Sequence, residues 1–482
     1  MTHHDVDVAI IGAGTAGLTA RRSAKKAGAR ALLIDAGPYG TTCARVGCMP
    51  SKLLISAAEA AWHARHAGIF GVDAEVTVDG PRVMARVMAE RDRFSGFVVR
   101  TIEQLRDQGL LLPGRATFTG PNTLDVTRVD GGQDTVKARA FVVATGSKPF
   151  VPPPYRGLPP SVLLSTDEIF ELPDLPASLL VVGAGVVGME LGQAFHRLGV
   201  RTTILSMGGR IAFLQSKEVN AEAIRVFRKE LDLHPDHTFH SVEAVPEGAR
   251  VRFTGFDGVE RTEVYEKVLL GAGRLPTLSG LGLESTGIPL DERGRPRVNP
   301  YTNQVGDSHI FVAGDVSGHR PLLHEAADEG RMAGQNAATW PDIAAEPRKT
   351  PLSIMFTEPQ VAAVGESWPA LDCNTSRVGV VDYGDQGRAR VMAQNQGQVR
   401  IAGEAGTGRL VAAQMLGPQV EHTAHLLAWA IQGSMRVGEA LEMPFYHPVV
   451  EEGIRTALRD LQSKLHLSRE GGAPCEEFGP GT

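Results

Sequence analysis

Near its start the chain carries Val6-Asp7-Val8-Ala9-Ile10-Ile11, an almost unbroken apolar run that predicts a strand buried on both faces of a parallel sheet. It leads into Gly12-Ala13-Gly14-Thr15-Ala16-Gly17, then into an alanine- and lysine-rich stretch with helical spacing that stops at Gly28. A second apolar strand, Ala31 to Ile34, ends on Asp35. The pattern then repeats: Leu179-Leu180-Val181-Val182, Gly183-Ala184-Gly185-Val186-Val187-Gly188, a helix to about Gly199 and a strand through Ile204-Leu205. Two more apolar strands end in small residues, Phe141 to Gly146 and Val268 to Gly273. Between the first glycine-turn copy and its closing strand at Phe141 the spacing predicts a long helix from about Pro81 to Gly109 and a hairpin turning at Asp130-Gly131-Gly132. Pro152, Pro153 and Pro154 mark an exit from the first unit. His309 to Asp315 reads as a buried strand with an acid at its tip, followed by a helix from Leu322 to about Ala338. After Pro341, Pro347 and Pro351 the pattern becomes alternating, as in an antiparallel sheet, from Val378 to Met415, with helices from Glu421 onward.

A strand, a glycine turn, a helix, a second strand and an acid, in that order, form a dinucleotide fingerprint. The glycines permit a tight turn and close approach of a pyrophosphate. The helix N-terminus faces the phosphates, and the acid accepts a ribose hydroxyl. The recurrence of its strand, glycine turn, helix and second strand predicts two nucleotide-binding units. The length of 482 residues gives room for a third unit. A net charge of −6 gives no reason to expect nucleic acid or acidic membranes as partners. No apolar run reaches membrane-spanning length, and the short polar stretch Met1–Asp5 leaves no room for a signal peptide. Four cysteines are too few for a disulfide scaffold and fit a redox pair in a reducing cytoplasm.

That pair is Cys43 and Cys48, in Gly40-Thr41-Thr42-Cys43-Ala44-Arg45-Val46-Gly47-Cys48-Met49-Pro50-Ser51-Lys52. Their spacing suits a dithiol/disulfide couple better than zinc, which favours a tighter spacing and a second pair that Cys373 and Cys475 do not supply. Ser51 is expected to cap a helix starting near Lys52, with Cys48 close to its positive end, where a thiolate is favoured. Two nucleotide units and one dithiol suggest electrons passing between two cofactors and a disulfide.

Taken together, the two fingerprints, the dithiol block, the strand ends at Thr145-Gly146 and Gly314-Asp315, and a C-terminal His-Pro followed by Glu452 resemble the flavin-dependent pyridine nucleotide-disulfide oxidoreductases, class I, with a pattern most like dihydrolipoamide dehydrogenase. The resemblance covers about residues 5 to 466. It implies an α/β fold: two doubly wound, Rossmann-like domains for FAD and NAD(P), and a C-terminal α+β dimerisation domain. The expected division is 1–150 and 278–347 for FAD, 151–277 for NAD(P), 348–466 for the interface, and a flexible tail at 467–482. FAD would meet Gly12, Gly14, Gly17, Asp35, Thr42, Lys52, Thr145, Gly146 and Asp315; the nicotinamide cofactor would meet Gly183, Gly185, Gly188, Gly273 and Arg274. Cys48 resembles the flavin-proximal sulfur and Cys43 the interchange thiol. Lys52 and Glu190 resemble a pair that buttresses the flavin, and His447 with Glu452 resembles an acid/base pair acting on the partner subunit's thiols, so a homodimer is implied.

The chain departs from the family pattern at Ser206, where an acid would select NAD; Arg210 aligns with an arginine of NAD-using members, so NAD is expected and NADP stays open. Val186 replaces an aromatic, Thr41 a glycine, Val449 a threonine and Phe445 a histidine. The substitutions on the disulfide side leave the substrate less defined than the reaction. The expected activity is oxidation of a dihydrolipoyl group, on a lipoyl-bearing protein or as a small disulfide couple. The alternatives are reduction of mercuric ion, another disulfide or a quinone-like oxidant, and a mainly binding or redox-sensing flavoprotein. The i,i+3 pairs His63/His66 and His422/His425 lack accompanying ligands, so no metal site is expected. Cys475 in the tail reads as an idle thiol. Leu426-Leu427-Ala428-Trp429-Ala430 reads as an interface or core helix.

Overall fold

The computed structural model describes residues 2–465, which form three main sheets, each with its own core. The tail expected at 467–482, with Cys475, lies outside the described residues.

In the first sheet Thr2–Ile11 lies between Ala31–Ile34 and Gln133–Val143, parallel to both. The hairpin predicted to turn at Asp130 is present, Thr123–Arg128 antiparallel to Gln133–Val143, extended by Gly114–Gly120. Gln133–Val143 changes neighbours along its length. Its first half pairs in that hairpin, and its end pairs in parallel with Ile310–Val312, some 170 residues later, through Phe141, Val142 and Val143. The apolar run of 6–11 is explained by burial on both faces: Val8, Ala9 and Ile10 are wholly inaccessible.

One face of this sheet carries the helix Thr15–Lys26, packed across Leu323–Thr339. The two helix backbones touch. A Cβ on Gly330 would stand 2.3 Å from the carbonyl oxygen of Ala16, and one on Gly334 2.1 Å from that of Ala20. The long helix expected from Pro81 runs over Gly80–Asp107, capped by Asp79 with Pro81 in its first turn, and packs against Cys48–Arg65.

The second sheet repeats the design with five parallel strands, ordered Asp232–His234, Arg201–Leu205, Ser178–Val182, Lys267–Leu270 and Leu163–Leu164. Thr238–Val245, Gly248–Thr254 and Glu260–Tyr265 form an antiparallel layer against it. The chain passes between the two units through a small ribbon, Ser147–Pro149 antiparallel to Arg274–Pro276. The third sheet is antiparallel throughout, as its alternation predicts: Leu352–Met355, Gln360–Gly365, Leu410–Gly417, Gln398–Glu404 and Ser376–Asp382 in spatial order. The helices Val420–Gln432 and Glu452–Leu465 cover one face.

Candidate functional site

The two glycine turns are built alike at their first and third glycines. Gly12 and Gly183 both have φ of +111°, and a Cβ would strike the carbonyl oxygen of Ala144 in one and of Gly271 in the other, at 2.3 and 2.5 Å. At the third glycines, Gly17 and Gly188, a Cβ would lie within 2 Å of the carbonyl oxygens of Gly12 and Gly183. The middle glycines differ: a Cβ on Gly14 would meet no protein atom within 4 Å, and one on Gly185 only the Gly271 oxygen at 3.5 Å. Both cap helices, Thr15–Lys26 and Val186–Arg197, with no side-chain cap. The result is an open cradle with free N–H groups at a positive helix end, into which a phosphate fits and which a side chain would narrow.

Asp35, at the end of its strand, accepts hydrogen bonds from the amides of Ala13 and Gly37, both at 2.6 Å. Thr145 donates to the carbonyl of Thr277 at 2.6 Å beside Gly146, which has φ of +66°. Asp315 accepts from Ser147 Oγ at 2.7 Å, and Arg274 donates to both Ser147 Oγ and Ser147 O, at 2.8 and 2.7 Å. Ser147, which the sequence did not single out, thus ties Arg274 of the second unit to Asp315 of the first. Gly273 precedes Arg274 with φ of +103°.

The dithiol block is two helices, not one loop and a helix. Cys43 lies in the short helix Thr42–Val46, whose cap Thr41 has φ of +61°, an unusual backbone for a β-branched residue. Cys48 is the first residue of the helix Cys48–Arg65, capped by Gly47. The expected start near Lys52 with Ser51 as cap is therefore corrected. Ser51 sits in the first turn, and its hydroxyl donates back to the carbonyl of Gly47 at 2.8 Å. Pro50 is tolerated because the first turn needs no amide donors. Cys48 is at the positive helix end, as expected.

The neighbouring Cys43 thiol, and next the Lys52 ammonium, outweigh desolvation and hold the exposed Cys48 thiol at about 7. The same pairing and burial push Cys43 up. Lys52 Nζ is 2.6 Å from Glu190 Oε2 and 4.5 Å above the ring of Phe356.

Glu190 belongs to a line of buried polar residues on Val186–Arg197, which the sequence reading reduced to Glu190 alone. Phe356 N donates to Glu190 Oε1 at 2.9 Å. Gln193 is bonded to Glu358 twice, giving to its carbonyl and receiving from its amide, both at 2.8 Å. Arg197, buried, reaches Glu230 at 2.7 Å and Glu358 at 2.5 Å and stacks on Trp62. His63 reaches Glu358 as well, at 2.9 Å. Polar residues at positions 190, 193 and 197, on one face of a helix whose other polar residue is His196, were the available signal.

His447 lies far along the chain on the third unit. Its Nδ1–H donates to Glu452 at 3.1 Å, leaving Nε2 outward on a ring that is 64% exposed. In the i,i+3 pairs, His66 is held by the carbonyl of Trp62 and His425 by that of Glu421. Among the described residues no group of three or more His, Cys, Asp or Glu side chains is placed to hold a metal, and no helix is long and apolar enough to cross a membrane. Ser206 follows the strand Arg201–Leu205, its carbonyl accepting from His237 Nδ1 at 2.6 Å, and Arg210 is exposed.

Residues 6–330 match the model of the pyridine nucleotide-disulphide oxidoreductases, and residues 352–458 that of their dimerisation domain. The chain belongs to this family. It is 31% identical to a mercuric reductase of Streptomyces lividans over 96% of this chain and 98% of that one. It is 30% identical to a dihydrolipoyl dehydrogenase of Thermus scotoductus over the same shares of each. The crystal structure of LpdA from Mycobacterium tuberculosis superposes with a TM-score of 0.80 at 26% identity, covering 95% of this chain and 99% of that chain. Family membership makes the protein a flavin disulfide oxidoreductase that binds FAD and has an NAD(P)-binding domain. The open cradles at Gly14 and Gly185 and the acids at Asp35 and Asp315 fit two dinucleotides.

Proposed function

We propose that the protein is a dihydrolipoyl dehydrogenase, oxidising a dihydrolipoyl dithiol through Cys43 and Cys48 and delivering the electrons to NAD. The observation that carries this reading is the outward-facing His447–Glu452 pair together with the asymmetric dithiol. Thiol–disulfide exchange needs a proton acceptor and donor at the substrate sulfur, and an imidazole fixed through Nδ1 with Nε2 free supplies both. The family's dimerisation domain supports a homodimer. Exposed Trp429 and Leu426 on Val420–Gln432 support it further.

In this reading His447 of the partner subunit takes the proton from the first substrate thiol, whose thiolate attacks Cys43 of the oxidised pair. A mixed disulfide forms and Cys48 leaves as a thiolate, stabilised by Lys52. The second substrate thiol then displaces Cys43, which leaves with the proton held by His447, and the imidazole so freed takes up the proton of that second thiol as the cyclic disulfide departs. FAD, when bound, supplies the two-electron relay between the dithiol and the pyridine nucleotide. Gly12, Gly14, Gly17, Asp35, Thr42, Lys52, Thr145, Gly146 and Asp315 would hold it; Gly183, Gly185, Gly188, Gly273 and Arg274 would hold NAD. Lys52, its charge shared with Glu190, offers a cation to the reduced flavin. The units 1–150 with 278–347, 151–277 and 348–466 serve as FAD, NAD(P) and interface domains of a cytoplasmic enzyme.

The likeness to a mercuric reductase supports a second reading, in which NAD(P)H reduces mercuric ion or another acceptor through the same dithiol. Anaerobic titration with dihydrolipoamide separates the two. Growth of a long-wavelength absorption band supports the lipoyl reading. A spectrum unchanged by dihydrolipoamide but altered by NADH or NADPH refutes it in favour of another acceptor.

A further inference from the structure

The stretch from Tyr446 to Val450 has no helix or strand of its own, yet it is held from below at its centre. Val449 N donates to Glu452 Oε2 at 3.2 Å, the carboxylate that also receives His447 Nδ1. On its other side the Val449 carbonyl accepts a hydrogen bond from Gln386 Nε2 at 2.8 Å. Gln386 is nearly buried and is itself fixed: its Oε1 accepts the amide of Ala389 at 2.7 Å, capping the short helix Gly387–Val391. Tyr383, wholly buried three residues earlier, packs beneath the start of Glu452–Leu465, so closely that a Cβ on Gly453 would stand 2.6 Å from its ring. A side-chain amide that uses its acceptor to cap one helix and its donor to hold a distant turn has a single orientation open to it.

We infer that Gln386 is a positioning residue for His447: through the Val449 carbonyl it anchors the residue whose own N–H, in the preceding peptide unit, holds Glu452, and so the direction in which Nε2 points. The inference rests on the reading of His447 as the acid/base group. Its physical basis is geometric. Proton transfer to a substrate sulfur requires the imidazole within hydrogen-bond reach and in line, and displacement of about 1 Å removes most of the rate.

Two substitutions separate orientation from folding. Gln386→Glu keeps an acceptor for Ala389 N and, when ionised, loses the donor to Val449; Gln386→Leu loses both. Each holoenzyme is assayed for oxidation of dihydrolipoamide by NAD and for NADH-driven reduction of ferricyanide, a one-electron acceptor that needs no thiol chemistry. The expected result is a fall in kcat with dihydrolipoamide of about 10-fold for Gln386→Glu, a smaller change in KM, and unchanged ferricyanide reduction. Amide hydrogen exchange across 447–452 should accelerate in the same variant, and Gln386→Leu should show the same loss with a lower unfolding temperature. The inference is overturned if Gln386→Glu retains the parent kcat and exchange rates, or if both reactions fall together. His447→Gln run in parallel tests the reading beneath it: full dihydrolipoamide turnover in that variant overturns both. If the parent enzyme ignores dihydrolipoamide but reduces an aromatic disulfide with NADH, the lipoyl reading fails, and the same Gln386 comparison on that disulfide decides the inference.

Discussion

Replacing Cys43 with alanine should slow alkylation of Cys48 at neutral pH and speed it at high pH. The Cys43 thiol is the largest influence lowering Cys48 from an ordinary 9.0 to about 7; desolvation, which opposes it, comes next, and Lys52 third. Removing the first moves the thiol back up toward its ordinary 9.0. At pH 7 the parent is then about half thiolate and the variant about 1%, a roughly 50-fold difference in the reactive form. A more basic thiolate is intrinsically more nucleophilic, by about 8-fold over two units at a Brønsted slope of about 0.45. The net expectation is alkylation about 6-fold slower in Cys43→Ala near pH 7 and about 8-fold faster above pH 10, with a crossover between. Cys43→Ser, which keeps a donor, should lie between the two, and Lys52→Met should move the curve less than Cys43→Ala. The assay is iodoacetamide labelling of the anaerobically reduced protein, quantified on the Cys48 peptide with exposed Cys373 as internal reference. Parent Cys48 reaching half-maximal labelling only near pH 9, or Cys43→Ala curves without a crossover, would refute the reasoning.

Arg197→Met should cost about 3–5 kcal/mol, because Glu230 and Glu358 would lose the buried guanidinium between them; the unfolding midpoint in urea measures this, and adding Glu230→Gln and Glu358→Gln should recover part of it. Gly14→Ala should leave the apoprotein as stable as its parent, since the added methyl meets no protein atom, while weakening FAD binding measured by fluorescence. Gly12→Ala, at φ of +111° against the Ala144 carbonyl, should instead destabilise the apoprotein itself in thermal unfolding. Ser206→Glu should raise the preference for NADH over NADPH by about 10-fold in kcat/KM; an unchanged ratio would mean that the ribose lies elsewhere.

The sheet architecture and much of the site geometry were readable because they depend on local rules. A glycine turn between an apolar strand and a helix announces a phosphate cradle from a dozen residues, and the spacing of Cys43 and Cys48 needs no distant partner. The helix start at Cys48 was misread because Ser51 and Lys52 resemble a cap and first turn, whereas Gly47 ends one short helix and begins the next. Ser147, Gln193, Arg197 and Gln386 were missed for a different reason. Their partners are the side chain of Asp315, the backbone and carboxylate of Glu358 and the backbone of Val449, between 63 and 168 residues away. A backbone partner leaves no mark on composition or periodicity. The polar line at 190, 193 and 197 was visible, but not what it would meet.

The crossing of Thr15–Lys26 with Leu323–Thr339 sets a timetable for biosynthesis. The helix that presents the first phosphate cradle emerges early, while the glycines against which its backbone rests, Gly330 and Gly334, lie some 300 residues behind it. At about 5–20 residues per second, the nascent chain waits on the order of 15–60 s before that face can be covered and Ile310–Val312 can join its sheet. The second glycine-turn unit, lying wholly within the interval, has all its strands off the ribosome first. A translation arrest after the second unit's strands have emerged but before residue 330 would therefore yield a chain with the later cradle assembled and the earlier one still bare, a target for chaperones or proteases.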